Sequence, residues 1–493
     1  MNGGCGAGSA DVRRWLLALD HAFDGAFGAA GNPLKQLGAL AFLLLWLLAV
    51  SGIVLYALLE TSAEGAYRSI ATLSRGPFGA LRGLHRYAAD AFVLVALLHL
   101  AREWAWGRHG GFRRYSWITG VLLLPLVYGG AIGGFWLHWD RLGQFSALAT
   151  AEWLDALGFL GSPLARNFLH GAVSDRLFSL FVFVHLGLPL LLVFGCWAHV
   201  QRMGSARVFP QRPLAAGTAL ALLLLAFVLP VPGQGAADLA SAPARLDFDW
   251  LLLFVHPLAA ATSAQFAWVV LALALAGLLW LPFARRTERL PVAQVDPDHC
   301  NGCGRCVADC PYGAIALVPH PTRRRLQLAQ VRSAQCASCG ICTGACPSST
   351  PSRDSTPLVT GIDLPHRPLA ALRERLQQGL ANGARQVVVG CDHGARVEEL
   401  AGGQRLVLTL PCSGMLPPSF VEYALRLGAA NVLVSGCREG GCEFRLGPRW
   451  TAARLQGERE PHLRSTVGAA GWHAVWADAG EEARVRAALE ATA

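Results

Sequence analysis

Long apolar runs separated by short polar segments fill the first 283 residues of the chain. Six runs are long enough to cross a hydrocarbon core of about 30 Å. Pro257 lies near the start of the last run, so its spanning part is expected to begin at about residue 264. The pattern predicts a cytoplasmic lead-in over 1–33 and transmembrane helices over 34–59, 84–106, 115–137, 176–201, 214–231 and 250–283.

Basic residues mark alternate loops between these helices. The first 33 residues, the loops 102–114 and 202–212, and the exit at Arg285-Arg286 are basic, whereas the intervening loops are more acidic. The positive-inside rule therefore predicts a multi-pass protein of the bacterial inner membrane with both termini in the cytoplasm. This excess of basic residues in alternate loops also explains the net charge of +9. Nucleic-acid binding is not indicated, because the sequence has no basic stripe interleaved with aromatic residues.

Four histidines lie at matched intervals in the apolar region. His85 and His99 belong to the second predicted helix, 14 residues apart. His185 and His199 repeat this interval on the fourth helix, which runs in the same direction. Fourteen residues rise about 21 Å in nearly four turns, so each pair lies on one face at two depths. Because ionisable groups are costly in a membrane, we expect two bis-histidine sites, His85 with His185 outside and His99 with His199 inside.

Glycines repeat the same interval on two other helices. Gly38 and Gly52 lie on the first helix, and Gly120 and Gly134 lie on the third. Glycine is common where membrane helices pack closely. The shared spacing favours another purpose, which is clearance for a large flat ring near the backbone.

Together these residues resemble cytochrome b of the quinol-oxidising cytochrome bc complexes. Arg82 precedes His85 by three residues, Pro189 follows His185 by four, and GFWLHWD at 134–140 resembles the segment bordering the family's outer quinone site. The resemblance implies two haem b groups, with Arg82 pairing with a haem propionate. It covers 34–283 and implies a quinone as substrate.

The resemblance is weaker in the last two spans. The stretch ARLDFDW at 244–250 occupies the place of the family's Pro-Glu-Trp-Tyr motif, with Asp249 in place of the glutamate. Asp249 is a candidate proton acceptor from a quinol, and an interfacial aspartate in water is an equally weighted alternative. His138, His170 and His256 are further candidates for the same work.

Two cysteine runs follow the membrane region, and each has the spacing C-x2-C-x2-C-x3-C-P. This is the spacing of bacterial two-cluster ferredoxins, in which the fourth cysteine of each run ligates the other cluster. Zinc is the alternative metal for such cysteine pairs. The predicted 4Fe–4S ligand sets are Cys300, Cys303, Cys306 and Cys346, and Cys336, Cys339, Cys342 and Cys310.

Four more cysteines lie in the C-terminal segment. Cys391, Cys412 and Cys437 each follow a predicted strand, and the carboxyl ends of parallel strands share one edge of a sheet. With Cys442 they form a candidate site for a 2Fe–2S cluster or a tetrahedral zinc ion, and the spacing leaves both open. Predicted strands over 386–389, 406–410, 431–434 and 473–476 indicate a small α/β domain with a mainly parallel sheet.

This segment resembles the delta subunit of methyl-viologen-reducing hydrogenases. The resemblance rests on LPCSG at 410–414, GAANVLV at 428–434 and GCREGGCEF at 436–444. It implies a 2Fe–2S cluster on the four cysteines, with His393 as a neighbour. It also implies a heterodisulfide-reductase-type flavoprotein or hydrogenase-like subunits as partners.

The expected fold class is therefore a membrane all-α region with six transmembrane helices and a di-haem four-helix core, a small α+β ferredoxin module and a C-terminal α/β domain. The expected function is electron transfer between a cytoplasmic partner and the quinone pool. The alternative is an anchoring relay subunit without a quinone site, and a homodimer is left open. The expected boundaries are 34–213 and 214–283 in the membrane, 284–298 as a linker, 299–350 for the ferredoxin module, 351–368 as a second linker and 369–493 for the last domain.

Overall fold

The computed structural model divides into two compact units. Unit 1 contains Met1–Phe23, Gly31–Gln201 and Arg207–Arg286, and unit 2 contains Asp24–Ala30, Arg202–Ala206 and Thr287–Ala493. The structure describes residues 7–29, 31–76, 78–159, 162–168, 174–204, 206–241, 245–284, 290–353, 357–468 and 471–491.

Unit 1 is helical. Side-chain oxygens cap several helices: Ser62, Asp140 and Ser174 accept from the backbone N–H groups of Gly65, Gly143 and Leu177. The helices are α1 (Ala7–Phe27), α2 (Leu37–Leu58), α3 (Ala63–Arg75), α4 (Gly79–Ala105), α5 (Arg114–His138), α6 (Arg141–Asp155), α7 (Asp175–Val200), α8 (Arg212–Val228), α9 (Val255–Ala261) and α10 (Ala264–Ala284).

Five helical segments of the described residues are long and apolar enough to cross a membrane, namely Pro33–Leu58, Gly79–Ala105, Gly111–His138, Asp175–Val200 and Ala264–Ala284. They correspond to five of the six predicted spans. The sixth, predicted over 214–231, is the 17-residue helix α8. At 1.5 Å per residue it measures about 26 Å, less than a full hydrocarbon core.

The ends of two of these elements have local causes. Helix α8 stops at Val228 because Pro230 and Pro232 follow and cannot continue the hydrogen-bonded ladder. Helix α10 begins at Ala264, as predicted, but Pro257 is not the cause. Pro257 lies in the first turn of α9, where proline is tolerated, and the break falls at Thr262 and Ser263.

A tightly packed apolar cluster joins α2, α4, α5 and α7. The cluster includes Leu44, Ala88, Phe92, Val93, Val127 and Leu192, all buried. A separate contact joins α4 to α8, because an added Cβ at Gly83 would lie 2.9 Å from the Cβ of Ala226. These contacts fix the faces of α4 and α7 that carry the four histidines.

Unit 2 begins with a small module of short elements. Its helices α11 (Arg305–Asp309) and α12 (Ile341–Ala345) each follow a glycine in the left-handed region, Gly304 with φ 76° and Gly340 with φ 75°. This repeated turn lets each cysteine run curl back on itself. The strands β2 (Ile315–Pro319) and β3 (Gln327–Val331) form an antiparallel hairpin, and β1 (Gln294–Val295) pairs antiparallel with β4 (Ile362–Asp363).

The rest of unit 2 contains a parallel sheet in the order β6-β5-β7-β8. Buried valines 387–389 make β5 a central strand, as expected for a sheet covered on both faces. The predicted strands are thus present and parallel. The elements are α13 (Leu369–Ala381), β5 (Gln386–Cys391), β6 (Arg405–Leu410), α14 (Pro418–Arg426), β7 (Asn431–Gly436), α15 (Gly447–Leu455), β8 (Trp472–Trp476) and α16 (Glu482–Glu490).

Candidate redox centres

His85 of α4 and His185 of α7 face each other across unit 1. Their ring centroids are 6.4 Å apart and their planes make an angle of 71°. Metal–imidazole bonds are about 2 Å long, so this gap suits one metal ion between two ring nitrogens. These two imidazoles would be able to hold a haem iron between them.

The other ring nitrogen of each histidine is already engaged. Nδ1 of His85 lies 2.8 Å from the Ser51 hydroxyl, and Nδ1 of His185 lies 2.9 Å from the carbonyl oxygen of Gly130. Metal-bound histidines ordinarily use one nitrogen in this way, which fixes the ring and the tautomer. Nε2 is thereby the nitrogen of each ring that remains for a metal ion.

The second pair shares one feature with the first. Nδ1 of His199 lies 3.0 Å from the Thr119 hydroxyl, as Nδ1 of His85 lies beside Ser51. The structure therefore brings His85 and His185 together and holds His199 in the same way as His85.

Each of the four regularly spaced glycines packs against one of these imidazoles. An added Cβ at Gly52 would lie 3.1 Å from Cε1 of His85, and one at Gly38 would lie 3.4 Å from Cε1 of His99. At Gly120 and Gly134 the corresponding distances to His199 and His185 are both 3.0 Å. The glycines thus make room for the histidine rings themselves, which sharpens the expectation of clearance for a flat ring.

Ser51 and Thr119 are site residues that the spacing argument missed. Each immediately precedes one of the glycines, as Ser51-Gly52 and Thr119-Gly120. A hydroxyl residue beside a glycine on equivalent helices is the signal that identifies them. Each hydroxyl residue and the glycine after it contact the same imidazole, because neighbouring residues on a helix approach it from adjacent directions.

Arg82 lies beside the end of α5. Its Nη1 donates to the carbonyl oxygen of Val231 at 2.8 Å, and its Nη2 lies 3.2 Å from Nδ1 of His138. Nδ1 of His138 also lies 3.1 Å from the Asp140 carboxylate, to which it donates, so its approach to Arg82 is a contact and not a hydrogen bond. Burial acts to raise the pKa of Asp140, but the hydrogen bonds from His138 and two backbone N–H groups hold it below its ordinary value. Arg82 thus belongs to a polar network at the end of α5.

Asp249 is not an aspartate in water. Its side chain is 10% exposed and forms an ion pair with Arg86. Its Oδ1 accepts hydrogen bonds from the backbone N–H groups of Leu251 and Leu252 at 2.9 and 2.8 Å. Both carboxylate oxygens therefore have partners, which contradicts the alternative of an aspartate in water. These partners stabilise the charged carboxylate, so they oppose its acceptance of a proton.

His256 is a buried neighbour of this region. Its Nε2 lies 3.0 Å from the hydroxyl of Ser146, which accepts from the indole N–H of Trp136 at 3.2 Å. Burial lowers the pKa of His256 to about 4, so the ring is neutral at pH 7. His170 lies outside the described residues.

In the small module, the fourth cysteine of the second run joins the first run. Cys300, Cys303, Cys306 and Cys346 line one cavity, with Leu317, Ala329 and Ile362 as its apolar walls. Burial raises the pKa of Cys306 to about 12, and the thiols of Cys346, Cys303 and Cys300 add to the effect. Four thiolates at this position need a cationic group to offset their repulsion, and a 4Fe–4S cluster supplies one.

The other predicted ligand set of the module is Cys310, Cys336, Cys339 and Cys342, of which Cys339 and Cys342 are buried. Burial is the main cause that raises the pKa of Cys339, and Cys310 and Cys336 contribute. Backbone N–H groups point at two of the sulfurs, from Ala314 to Cys310 at 3.3 Å and from Ser338 to Cys336 at 3.5 Å. Hydrogen bonds of this kind tune the reduction potentials of iron–sulfur clusters.

The remaining four thiols are all buried at the carboxyl edge of the parallel sheet. The sulfurs of Cys391 and Cys437 are 3.7 Å apart, and this hydrogen bond lowers the pKa of Cys391 and raises that of Cys437. Cys442 is hydrogen-bonded to both Cys412 and Cys437, and this lowers its pKa. In the described part of the chain, no three His, Cys, Asp or Glu side chains enclose a position for a single metal ion.

His393 follows Cys391 by two residues. Its ring packs edge-on against Phe444, with centroids 5.2 Å apart.

Gly447 allows the close approach of the thiols, because an added Cβ would lie 2.1 Å from the sulfur of Cys412 and 3.5 Å from that of Cys442. A side chain at position 447 would therefore occupy the thiol site.

Comparison with known families gives three matches in chain order. Residues 32–204 match cytochrome b/b6/petB, residues 299–350 match the 4Fe-4S dicluster domain, and residues 401–492 match the methyl-viologen-reducing hydrogenase delta subunit. The expected fusion of these three parts is confirmed. The cytochrome b match ends at residue 204, before α8.

A solved structure titled "Hyperthermophilic respiratory Complex III" is also similar. It shares 21% identity, covers 50% of this chain and 74% of its own, and has a TM-score of 0.40. The family matches imply haem b in the membrane region and 4Fe–4S clusters in the small module. The chain is a multi-pass membrane electron-transfer protein.

Proposed function

We propose that this protein passes electrons between a soluble partner and the quinone pool. When bound, haem and iron–sulfur groups supply one-electron transfer, and the polypeptide sets their order and potentials. The ligands we assign are His85 with His185, His99 with His199, and the two four-cysteine sets of the small module. The C-terminal thiols would hold a 2Fe–2S cluster, with zinc as the alternative.

One observation carries this proposal, namely the facing imidazoles of His85 and His185. Their 6.4 Å separation suits a single metal ion, and Ser51 and the Gly130 carbonyl hold each Nδ1. A histidine kept only for packing would gain nothing from this opposed arrangement in a membrane, where an ionisable side chain is costly. The same pattern at His199 and Thr119 supports a second site.

The soluble partner would meet the C-terminal domain, which resembles a hydrogenase delta subunit. A heterodisulfide-reductase-type flavoprotein or hydrogenase-like subunit is the partner we propose. The basic loops support an orientation with both termini in the cytoplasm of a bacterium, the compartment in which such a partner would be found. A homodimer remains part of the proposal.

Quinone chemistry needs a group that takes or gives protons, and Asp249 is our candidate. Arg86 and two backbone N–H groups hold its carboxylate. We propose that quinone binding displaces Arg86 from this carboxylate, which raises the proton affinity of Asp249 and frees its Oδ2. Arg86 has a second partner ready, because its Nη1 lies 2.6 Å from Asp90 one helical turn away.

The test is anaerobic reoxidation of the dithionite-reduced, membrane-embedded protein by a short-chain quinone analogue, followed in the haem absorption bands. We expect rapid reoxidation by the wild type and slower reoxidation by Asp249→Asn. Asp247→Asn is the matched control, because Asp247 is exposed and lies two residues away. Equal rates in the two variants would remove Asp249 from the mechanism.

The second candidate function is a membrane-anchoring relay subunit without its own quinone site. The full engagement of Asp249 by Arg86 and the backbone favours it. In that case no quinone analogue would reoxidise the haems, although a soluble one-electron acceptor still would.

Iron and zinc analysis separates the alternatives at the last thiol site: the cluster assignment gives about ten cluster irons and two haem irons. Stoichiometric zinc would contradict the 2Fe–2S assignment.

A further inference from the structure

Within unit 2, the small module and the C-terminal domain interlock through glycines. An added Cβ at Gly344 of α12 would lie 2.2 Å from the carbonyl oxygen of Gly414, which follows Cys412. An added Cβ at Gly414 would in turn lie 2.9 Å from Cγ1 of Ile341. The backbone that carries Cys342 therefore touches the backbone that carries Cys412, with no side chain between them.

Arg454 of α15 lies in this contact and is fully buried. Its Nη1 donates to the carbonyl oxygen of Gly414 at 2.9 Å, and its Nη2 forms an ion pair with Asp309. Nη2 also lies 3.4 Å from the carbonyl oxygen of Ile341. One guanidinium thus binds groups that adjoin Cys412, Cys310 and Cys342 in the sequence.

The charges at this position do not balance among the side chains. Arg454 and Arg459 both pair with Asp309, so two cations share one anion. Burying an unpaired charge is costly, and a nearby anionic group relieves that cost. Arg454 donates to the carbonyl oxygen of Gly414, two residues after Cys412, so a cluster held by thiolates at Cys412 would place its negative charge near the surplus cation.

Contacts in the backbone also define an order of sites. An added Cβ at Gly340 would lie 2.7 Å from the side chain of Met415, so the run that carries Cys339 and Cys342 packs against the segment that follows Cys412. At the end of the same run, Cys346 lines the cavity that also contains Cys306. The site of Cys310, Cys336, Cys339 and Cys342 therefore lies between the C-terminal thiols and the site that contains Cys306.

We propose that Arg454 is a positioning residue that joins the middle cluster site to the C-terminal thiol site, and that its charge raises the reduction potentials of both. A cation near a cluster stabilises the reduced form, which carries one more negative charge. Electrons from the C-terminal site would then pass to the middle cluster before the cluster held by Cys300, Cys303, Cys306 and Cys346. This inference rests on the proposed function only in assuming that these sites hold clusters.

The test is a redox titration of the full-length protein followed by low-temperature electron paramagnetic resonance. For Arg454→Gln we expect the middle and C-terminal potentials to become more negative. The cluster that contains Cys306 is the internal reference and should not shift. Arg454→Lys, which keeps the charge, should restore most of the wild-type potentials.

Asp309→Asn supplies the opposite charge change, and it decides the question if Arg454→Gln fails to assemble. Removing this anion should make the middle potential more positive, whereas a purely structural role predicts no dependence on the sign of the charge. Unchanged potentials in Arg454→Gln, or equal shifts at all three clusters, would overturn the inference. Loss of quinone-dependent haem reoxidation with normal cluster potentials would contradict the proposed function and leave this inference standing.

Discussion

Replacing Gly134 by alanine tests the haem assignment at one of its two tightest glycine–histidine contacts. The added Cβ would lie 3.0 Å from Cε1 of His185 and 3.5 Å from its Nδ1. Carbon atoms pack best at about 3.5–4.0 Å, so the imidazole must move by about half an ångström or more. That movement also strains the hydrogen-bonding contact between Nδ1 of His185 and the Gly130 carbonyl, now 2.9 Å.

The expected cost follows from these two contacts. Overpacking a close-packed site typically costs about 1–3 kcal/mol, and a strained hydrogen bond costs up to about 1 kcal/mol more. A total loss of about 1–4 kcal/mol corresponds to roughly 5- to 800-fold weaker binding of the haem. We expect Gly134→Ala to retain one haem, ligated by His99 and His199, and to lose much of the other.

The assay is the haem-to-protein ratio of the purified variant, with redox-resolved haem spectra. Gly187→Ala is the matched control, because Gly187 lies on α7 two residues after His185 and an added Cβ there meets nothing within 4 Å. Gly38→Ala is the intermediate case, at 3.4 Å from His99. If Gly134→Ala keeps both haems with the spectra of Gly187→Ala, the reasoning from ring clearance is refuted.

Three further predictions follow from the same contacts. Thr119→Val removes the hydroxyl 3.0 Å from Nδ1 of His199 and should shift that haem's midpoint potential, whereas Thr119→Ser should not; equal titration curves would contradict this. Cys346→Ser should abolish the cluster signal of the first cysteine run and lower the iron content by about four, because Cys346 shares its cavity with that run; loss of the other signal instead would reverse the pairing. Burial raises the pKa of Asp363 to about 6, so its contribution to the stability of unit 2 is largest below the unfolded pKa of about 3.9 and is lost as the pH rises through about 6. Thermal unfolding between pH 5 and 7 should show this fall in the wild type and not in Asp363→Asn, and identical profiles would exclude it.

The sequence predicted most of the elements, because their signals are local. Apolar runs and strand patterns depend on neighbouring residues, and they located five long membrane helices and the strands of the parallel sheet. The weakest prediction was the span over 214–231, where hydropathy counted apolar residues beyond a helix that stops at Val228. Helix geometry, with two prolines after the end, decided its length.

What the sequence by itself determined is the set of repeated intervals. Histidines and glycines 14 residues apart predict positions at two depths on one helix face, because a helix has a fixed rise per residue. Two cysteine runs of identical spacing predict their cluster ligands in the same direct way. Spacing says nothing, however, about partners far away in the chain.

Only the tertiary structure decided those partners. It set Ser51 beside His85, gave Asp249 an ion pair with Arg86, and placed Arg454 between two thiol sites. Asp309 and Arg454 are 145 residues apart, and no local pattern encodes such a contact. The physical reason is that these contacts arise when whole elements pack, so their geometry depends on the complete core and not on any single segment.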